Sequence, residues 1–291
     1  MTTAMVKFFR LALFLLGLAP TAALAEPPVW VIKDKDSTIT LFGSVHVLPP
    51  GMAWRPKALD AALTAADDVW FEIPIDPATQ LAATQGAIMR AMLPQGQSLT
   101  VMLEPKTKAR LERVAKAHNL PLAYLDRLRP WMADLAVSQA FIDKRGARLS
   151  EGVEQMISGG LPGSVERRAF ETPDQQLSML AGAPVKEQLA MLAETLRAIE
   201  EEPEGFDDIV GLWLKSDVDG MAREAIGPLK ETSPYLYQVL VKQRNIAWVG
   251  QITARLAGSG DTVMVVGVGH LVGPDGVPAM LRARGVKVTG P

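Results

Sequence analysis

The sequence contains no cysteine and only three histidines, which are His46, His118 and His270. Without cysteine, the chain cannot carry a disulfide scaffold, a catalytic thiol, a zinc ribbon, an iron–sulfur cluster or a lipid-modified N-terminal cysteine. Neither sign of charge is in excess, because 30 lysine and arginine residues stand against 32 acidic residues. A formal net charge of −2 gives no overall attraction to nucleic acid, so we expect no nucleic-acid partner.

Long hydrophobic runs are also missing, apart from one near the N-terminus. The uncharged stretch Leu11–Ala25 is shorter than the ~20 residues that a membrane-spanning helix needs. Lys7 and Arg10 precede it, and the small residues of an A-x-A cleavage site end it. We therefore predict a cleaved signal peptide over residues 1–25 and a mature chain that begins near Glu26. The mature protein is expected to be periplasmic or secreted, with no stable membrane span.

The composition is that of an ordinary globular protein, with 48% hydrophobic and 21% charged residues. Short β-prone runs lie near both ends of the chain, and the middle carries apolar residues mainly at helical spacing. The predicted strands cover residues 29–33, 38–42, 69–73, 165–171, 262–268 and 286–289; the predicted helices cover 57–66, 104–118, 131–144, 149–157, 186–201, 234–256 and 277–283. A capping box from Thr172 to Gln175 predicts the start of a further helix.

These patterns predict an α/β fold. Its central sheet is built from an N-terminal and a C-terminal strand–Gly-x-x-His–helix unit, and its middle region is largely helical. We expect a single domain over residues 26–291 with a helical insertion.

A Gly-x-x-His motif follows one predicted strand near each end of the chain, and the two motifs end in His46 and His270. Glu72 and Glu171 each follow a phenylalanine near the end of another predicted strand. Ligands of open α/β sheets bind outside the carboxyl ends of the strands. The pattern therefore predicts that these four side chains meet at one edge of the sheet.

Two imidazoles and one carboxylate form a workable set of ligands for a divalent metal ion such as manganese, cobalt or zinc. Of Glu72 and Glu171, one could bind the ion and the other could act as general base. The structural alternative is that His46 and His270 only cap their strands by hydrogen bonding. His118 ends a polar helix, where a histidine suits the negative end of the helix dipole, so we expect it to be structural.

Arg244 lies four residues from both Leu240 and Trp248, so it shares a helix face with apolar side chains. A buried arginine needs a carboxylate partner, and here Arg244 could position Glu72 or Glu171 or hold negative charge on a reacting carbonyl. The alternative is an arginine whose charged end reaches solvent. Spacing alone does not decide between the two.

Seven segments, taken together, carry a resemblance to a known family. They are LFGSVHVLPPG at 41–51, FEI at 71–73, RPWMADL at 129–135, EGVEQMI at 151–157, FETPDQQL at 170–177, KQRNIAW at 242–248 and VGVGHLVGPDGV at 266–277. In this order they resemble the TraB/GumN family, which is related to the Tiki proteins. The resemblance covers nearly the whole mature chain.

The resemblance implies an α/β fold with pseudo-twofold halves, and divalent-metal protease activity in the Tiki branch. It implies His46, Glu72 and His270 as the metal site, and it places Glu171 and Arg244 at recurring positions of the family. Glu154 departs from the pattern, since the family usually has aspartate there.

Three functions remain open from the sequence. The first is a periplasmic metal-dependent hydrolase that acts on a peptide or protein substrate, with Glu72, Glu171 and Arg244 as catalytic residues. The second is a non-catalytic cell-envelope protein that binds a peptide or small ligand. The third is an accessory role in exopolysaccharide export, which only the GumN name suggests.

Overall fold

A computed structural model describes residues 26–291, in which six strands form one sheet. The strands are β1 (Val29–Lys33), β2 (Ser37–Ser44), β3 (Asp68–Phe71), β4 (Glu166–Ala169), β5 (Gly260–Gly267) and β6 (Val288–Thr289). Their order across the sheet is β4-β3-β5-β2-β1-β6. β1 pairs antiparallel with both β2 and β6, whereas the remaining pairs are parallel, so β1 alone of the described strands runs against the others.

Fifteen α-helices accompany the sheet within the described residues. They are α1 (Lys57–Ala65), α2 (Pro77–Ala91), α3 (Leu99–Met102), α4 (Pro105–Ala117), α5 (Leu122–Leu125), α6 (Pro130–Lys144), α7 (Val153–Gly160), α8 (Pro173–Ala181), α9 (Val185–Glu201), α10 (Gly205–Leu214), α11 (Val218–Met221), α12 (Gly227–Thr232), α13 (Pro234–Tyr237), α14 (Gln243–Leu256) and α15 (Val277–Ala283). Two π-helical segments join α11 to α12 and α13 to α14, over Ala222–Ile226 and Gln238–Lys242. Helices α2 to α7 lie between β3 and β4 in the chain, and α8 to α14 lie between β4 and β5.

The predicted fold class is confirmed. β2, α1 and β3 form one strand–helix–strand unit, and β5, α15 and β6 form the other. In both units the two strands run in the same direction. β2 and β5 are neighbours in the sheet, with Ser44 opposite Gly267. Because the two strands are parallel and in register, the segments that follow them leave the same edge of the sheet.

Two buried clusters hold the described residues together. The first contains the sheet and the helices on its faces, and its largest side chains include Trp30, Phe42, Trp213 and Trp248. The second lies among the helices between β3 and β4 together with α9, and includes Leu99, Leu111, Leu125, Val137, Leu192 and Leu196. Leu192 and Leu196 are one helical turn apart, which is the spacing that predicted the apolar face of α9.

The structure corrects two predicted helices. The helix expected over 149–157 is divided into a 3₁₀ turn, Leu149–Glu151, and α7, because Gly152 passes directly beside the chain at His46. A Cβ atom on Gly152 would collide with the carbonyl oxygen of His46, so only glycine fits there. The helix expected over 234–256 is continuous in space but contains the π-helical segment, which turns the residues after it relative to those before it.

The predicted signal peptide, residues 1–25, lies outside the described residues and stays a prediction. Among residues 26–291, no helix combines the length and the apolar composition needed to cross a bilayer.

Candidate functional site

The carboxyl ends of four parallel strands bring the predicted site residues together. His46 lies two residues beyond β2, and His270 ends a 3₁₀ turn that follows β5. Glu72 comes directly after β3, and Glu171 comes two residues after β4. The backbone N–H of Glu171 donates to the carbonyl of Glu72 at 2.9 Å, which extends the pairing of the two strands as far as the carboxylates.

Glu72 is the shared anchor of the site. Its Oε1 accepts a hydrogen bond from the backbone N–H of Gly267 at 2.7 Å, and its Oε2 accepts from Arg244 Nη2 at 2.6 Å and from Gln176 Nε2 at 3.1 Å. Burial by itself would raise the pKa of this carboxyl, but the positive charges of His270, when it is protonated, and of Arg244 lower the pKa to about 2. Glu72 is therefore a carboxylate at neutral pH.

Arg244 is buried, which decides between the two sequence interpretations. Only 8% of its side chain is exposed, and its Nε lies 3.0 Å from both carboxylate oxygens of Glu171. Its Nη1 lies 2.9 Å from Nε2 of His270. The guanidinium also packs over the ring of Trp248, 4.7 Å from the ring centre. Arg244 thus joins both predicted carboxylates to the C-terminal histidine.

His270 is neutral and held in one tautomer. Its Nδ1 lies 2.7 Å from Oδ1 of Asn245, while the Asn245 amide nitrogen donates to the carbonyls of His270 and Asp275. An arginine can only donate and an amide oxygen can only accept, so Nδ1 carries the proton and Nε2 presents its lone pair. Burial lowers the pKa of His270 to about 4.

His46 has the opposite surroundings. Its side chain is 60% exposed, and its Nδ1 lies 2.6 Å from Oε1 of Glu154. The negative charge of Glu154 raises the pKa of His46 from 6.5 to about 9. Ser44 donates a second hydrogen bond to the same Glu154 oxygen. Glu154, at which the sequence departs from the family pattern, therefore contacts the site and orients His46.

The donor set of His46, Glu72 and His270 suits a divalent metal ion in its chemistry. In both histidines an acceptor holds Nδ1, which is the usual way in which a protein aims Nε2 at a metal. A Cβ atom on Gly267 would lie 3.0 Å from Glu72 Oε1 and 3.2 Å from His46 Nε2, so these two atoms converge above Gly267. His270 Nε2 lies 3.9 Å from Glu72 Oε1.

Arg244 is the feature that separates this arrangement from a closed set of metal ligands. Its Nη1 donates to the lone pair of His270 Nε2, which is the atom that would bind an ion. Within residues 26–291, no three histidine or acidic side chains are arranged to hold a metal ion as they stand. Nε2 of His46 and Oε1 of Glu72 lie on the same side of Gly267, whereas Nε2 of His270 is occupied by its hydrogen bond with Arg244.

Glu171 belongs to the same network but faces Arg244. Both of its oxygens accept from Arg244 Nε, and Oε1 also accepts from the indole N–H of Trp248 at 2.8 Å. Its side chain is 8% exposed. With these donors in place, the geometry favours Glu171 as a residue that positions Arg244.

Three residues that the sequence analysis gave no role contribute to the site: Ser44, Gln176 and Asn245. Asn245 follows Arg244 directly, and Gln176 lies in the first turn of α8, whose start the capping box of Thr172 and Gln175 marks. All three stand inside the segments that carried the family resemblance, and that is the only sequence signal that could have found them. His118 lies at the end of α4, where its ring packs against Phe141, in keeping with a structural role.

Fold and site together define an α/β protein with a polar network of histidines, carboxylates and one arginine at the carboxyl ends of its parallel strands. The chain belongs to the TraB/PrgY/gumN family, whose model matches residues 28–290.

Relatives of the chain are found in different organisms. The Uncharacterized protein YbaP of Escherichia coli (strain K12) is 24% identical over 243 residues, which is 83% of this chain and 87% of that protein. An Uncharacterized protein of Treponema pallidum (strain Nichols) is 21% identical over 276 residues, covering 89% of this chain and 81% of the other. The Uncharacterized protein MJ1365 of Methanocaldococcus jannaschii is 25% identical over 174 residues, covering 60% of this chain and 42% of that protein.

Proposed function

We propose that this chain is a metal-dependent hydrolase that cleaves a peptide or protein substrate in the periplasm or outside the cell, after removal of residues 1–25. One observation carries the proposal. His46 and His270 are both held at Nδ1 by an acceptor; Nε2 of His270 lies 3.9 Å from Oε1 of Glu72, and Nε2 of His46 lies on the same side of Gly267 as that oxygen. Holding two imidazoles in this way beside a buried carboxylate serves metal binding better than it serves the capping of two strands.

His46, Glu72 and His270 would hold the ion, and nitrogen and carboxylate ligands suit manganese, cobalt or zinc. When bound, such an ion supplies an activated water molecule and polarises a carbonyl group. Glu154 and Asn245 keep the Nδ1 proton on each imidazole, so Nε2 is the ligand atom of both histidines once His46 has lost its second proton and Arg244 has released His270. Glu72 remains ionised at neutral pH and therefore contributes negative charge to the ligand set.

Arg244 supplies a permanent positive charge to the proposed catalytic site. It would stabilise negative charge that develops on the carbonyl oxygen of a substrate. Glu171 and Trp248 hold the guanidinium in place, from one side by an ion pair and from the other by ring stacking. All three ligands could bind an ion only after Arg244 has released Nε2 of His270. The arginine and the ion therefore compete for the lone pair of that nitrogen.

The test is metal analysis of the chain from residue 26, purified without chelators. His118→Ala is the matched control, because it removes the one histidine outside the site. We expect close to one ion per chain in the wild type and in His118→Ala, and a loss of the ion in His46→Ala and in His270→Ala. Cleavage of a peptide mixture, followed by mass spectrometry, should depend on the ion and disappear in the same two variants. Unchanged metal affinity in His46→Ala would overturn the proposed site.

The second candidate is a cell-envelope protein that binds a peptide or small ligand without converting it. The hydrogen bond from Arg244 Nη1 to His270 Nε2 favours it, since this bond places a cation at the third ligand. A peptide that binds and is recovered intact in the presence of manganese, cobalt or zinc would support this candidate. Turnover that depends on the ion would remove it.

A further inference from the structure

A cavity of about 270 Å³ lies directly beside the proposed catalytic site, between α8 and α14. Glu171, Arg244 and Trp248 line it, so these three residues belong both to the cavity and to the site. Along the helical run that leads into α14, the lining residues recur every four positions and so form one face: Val239, Gln243, Ala247 and Gln251. Gln175 and Met179, also four positions apart, line it from α8.

Two aromatic residues, Phe170 and Trp248, are part of the cavity lining. Phe170 and Trp248 are stacked, with ring centres 4.8 Å apart and an angle of 24° between the rings. The indole N–H of Trp248 is bonded to Glu171 and only 1% of the residue is exposed, so Trp248 supports Phe170 and offers little open surface of its own. Trp248 also packs on His270, with ring centres 4.4 Å apart, and this links the cavity wall to the candidate metal ligand.

The charges in the lining cancel each other. Glu171 and Arg244 are the lining residues that ionise, and they are bonded to one another at 3.0 Å. A charged group that entered the cavity would lose its hydration and find no free partner of opposite charge, which is unfavourable. Gln175 and Gln243 are exposed lining residues; the amide of Gln243 and the amide nitrogen of Gln175 can hydrogen-bond with a neutral peptide backbone, whereas Oε1 of Gln175 already accepts from the N–H of Thr172.

The volume of the cavity limits the size of the group that it can enclose. Pockets that enclose a drug-sized molecule have volumes of roughly 300–1,000 Å³. A cavity of about 270 Å³ is below that range and suits one large side chain.

We propose that this cavity, between α8 and α14, binds one large uncharged apolar side chain of a peptide, such as leucine, methionine or phenylalanine. That the peptide is a substrate rests on the proposed function. The side chain would pack on the apolar lining residues, which are Phe170, Met179, Val239 and Ala247, and the peptide backbone would lie beside Arg244. The cavity thereby selects which residue of a peptide comes next to the site.

The experiment measures the binding of small amides to the chain from residue 26 in the presence of a chelator. The probes are the acetylated amides of leucine, glutamate and lysine, and the signal is the indole N–H resonance of Trp248 in a nuclear magnetic resonance titration. We expect the leucine probe to bind at least tenfold more tightly than either charged probe. Equal affinity for all three would overturn the proposal.

Two variants on α14 separate the cavity from the rest of the surface. Ala247→Trp fills the cavity and should weaken binding of the leucine probe at least tenfold. Ile246→Trp places the same side chain one position along, outside the lining, and should leave binding unchanged. Gln243→Trp, on the same face as Ala247, replaces Ala247→Trp if that variant does not fold. Wild-type affinity in a folded filling variant would contradict the proposal.

The chelator makes this result independent of the metal proposal. A preference for the leucine probe in a chain that never binds metal would support the cavity and refute the hydrolase. Metal binding and peptide cleavage without any preference for the leucine probe would support the hydrolase and refute the cavity.

Discussion

His46 and His270 follow neighbouring parallel strands in the same Gly-x-x-His pattern, and their surroundings differ in two respects. The side chain of His46 is 60% exposed, whereas that of His270 is 9% exposed. The acceptor at Nδ1 is the carboxylate of Glu154 in one case and the neutral amide of Asn245 in the other. The pKa is accordingly raised to about 9 for His46 and lowered to about 4 for His270.

The Gly-x-x-His motif therefore sets the position of each imidazole beside the end of its strand, whereas the residues around the imidazole set its charge. At neutral pH His46 is a cation and His270 is neutral, although the two side chains face the same carboxylate. In the proposed site, His270 is ready to bind an ion once Arg244 releases it, and His46 has to lose a proton first. Metal binding therefore has a different obstacle at each histidine: a proton at His46 and the hydrogen bond from Arg244 at His270.

The largest expected effect comes from removing the arginine on the His270 side. Arg244→Met leaves the buried carboxylates of Glu72 and Glu171 without their cation, and breaking such a buried pair costs about 3–5 kcal/mol of unfolding free energy. Urea unfolding of the metal-free chain measures it. Arg113→Met, which breaks an exposed pair with Glu200, is the control and should stay close to wild type. If Arg244→Met lowered the free energy of unfolding no more than the control does, Arg244 would not stabilise the buried carboxylates of Glu72 and Glu171.

The second expected effect concerns the acid side of the stability curve. The unfolded chain takes up a proton at His270 near pH 6.5, while the folded chain resists it down to about pH 4. Stability contributed by the neutral His270 is therefore lost as the pH falls through this window. At about 1.4 kcal/mol per pKa unit, the loss amounts to about 3 kcal/mol.

His270→Gln should remove this loss of stability at acid pH. Urea unfolding of the variant and the wild type at pH 6.5 and at pH 4 measures it, and the difference between the two chains separates the effect of His270 from that of the carboxylates. His46→Gln should leave the acid loss in place. The raised pKa of His46 stabilises the fold fully below pH 6.5, and this stabilisation is lost as the pH rises towards 9. The same acid slope in His270→Gln and wild type would contradict the neutral, buried state of His270.

The smallest expected effect is a change of charge with little change of shape. Glu154→Gln gives His46 a neutral amide partner like that of His270, so its pKa should fall from about 9 towards 6.5. A nuclear magnetic resonance titration of the imidazole Cε1–H signals measures the shift. Glu151→Gln, three positions earlier at the end of the 3₁₀ turn, is the matched control and should not move the pKa of His46. An unchanged pKa in Glu154→Gln would show that Glu154 does not set the charge of His46.

Much of the sheet could be predicted from local pattern. The hairpin of β1 and β2 and the bounds of α15 follow the sequence closely, because alternation, glycine and proline act within a few residues. The helices α2 and α10 were not predicted. α2 has many small and polar residues, and its exposed Leu81, Ile88 and Met89 blur the apolar face that a pattern search needs.

The pairing inside the site was far less predictable. Spacing placed Arg244 on an apolar face but could not choose between solvent and a carboxylate. Its partners Glu72 and Glu171 are 172 and 73 residues away in the chain. Helical or strand periodicity indicates on which face of an element a side chain lies, but it does not identify the distant residue that the side chain contacts.

The sequence by itself determined that this is an α/β protein with two strand–Gly-x-x-His–helix units, because those signals depend on residues close together in the chain. It also determined which side chains stand at strand ends, and hence that His46, Glu72, Glu171 and His270 share one edge. Tertiary structure alone decided that Glu154 orients His46, that Asn245 orients His270 and that Arg244 joins the carboxylates. Those contacts set the charge of each histidine, because a pKa depends on burial and on the nearest charged group, and both arise only when distant segments pack together.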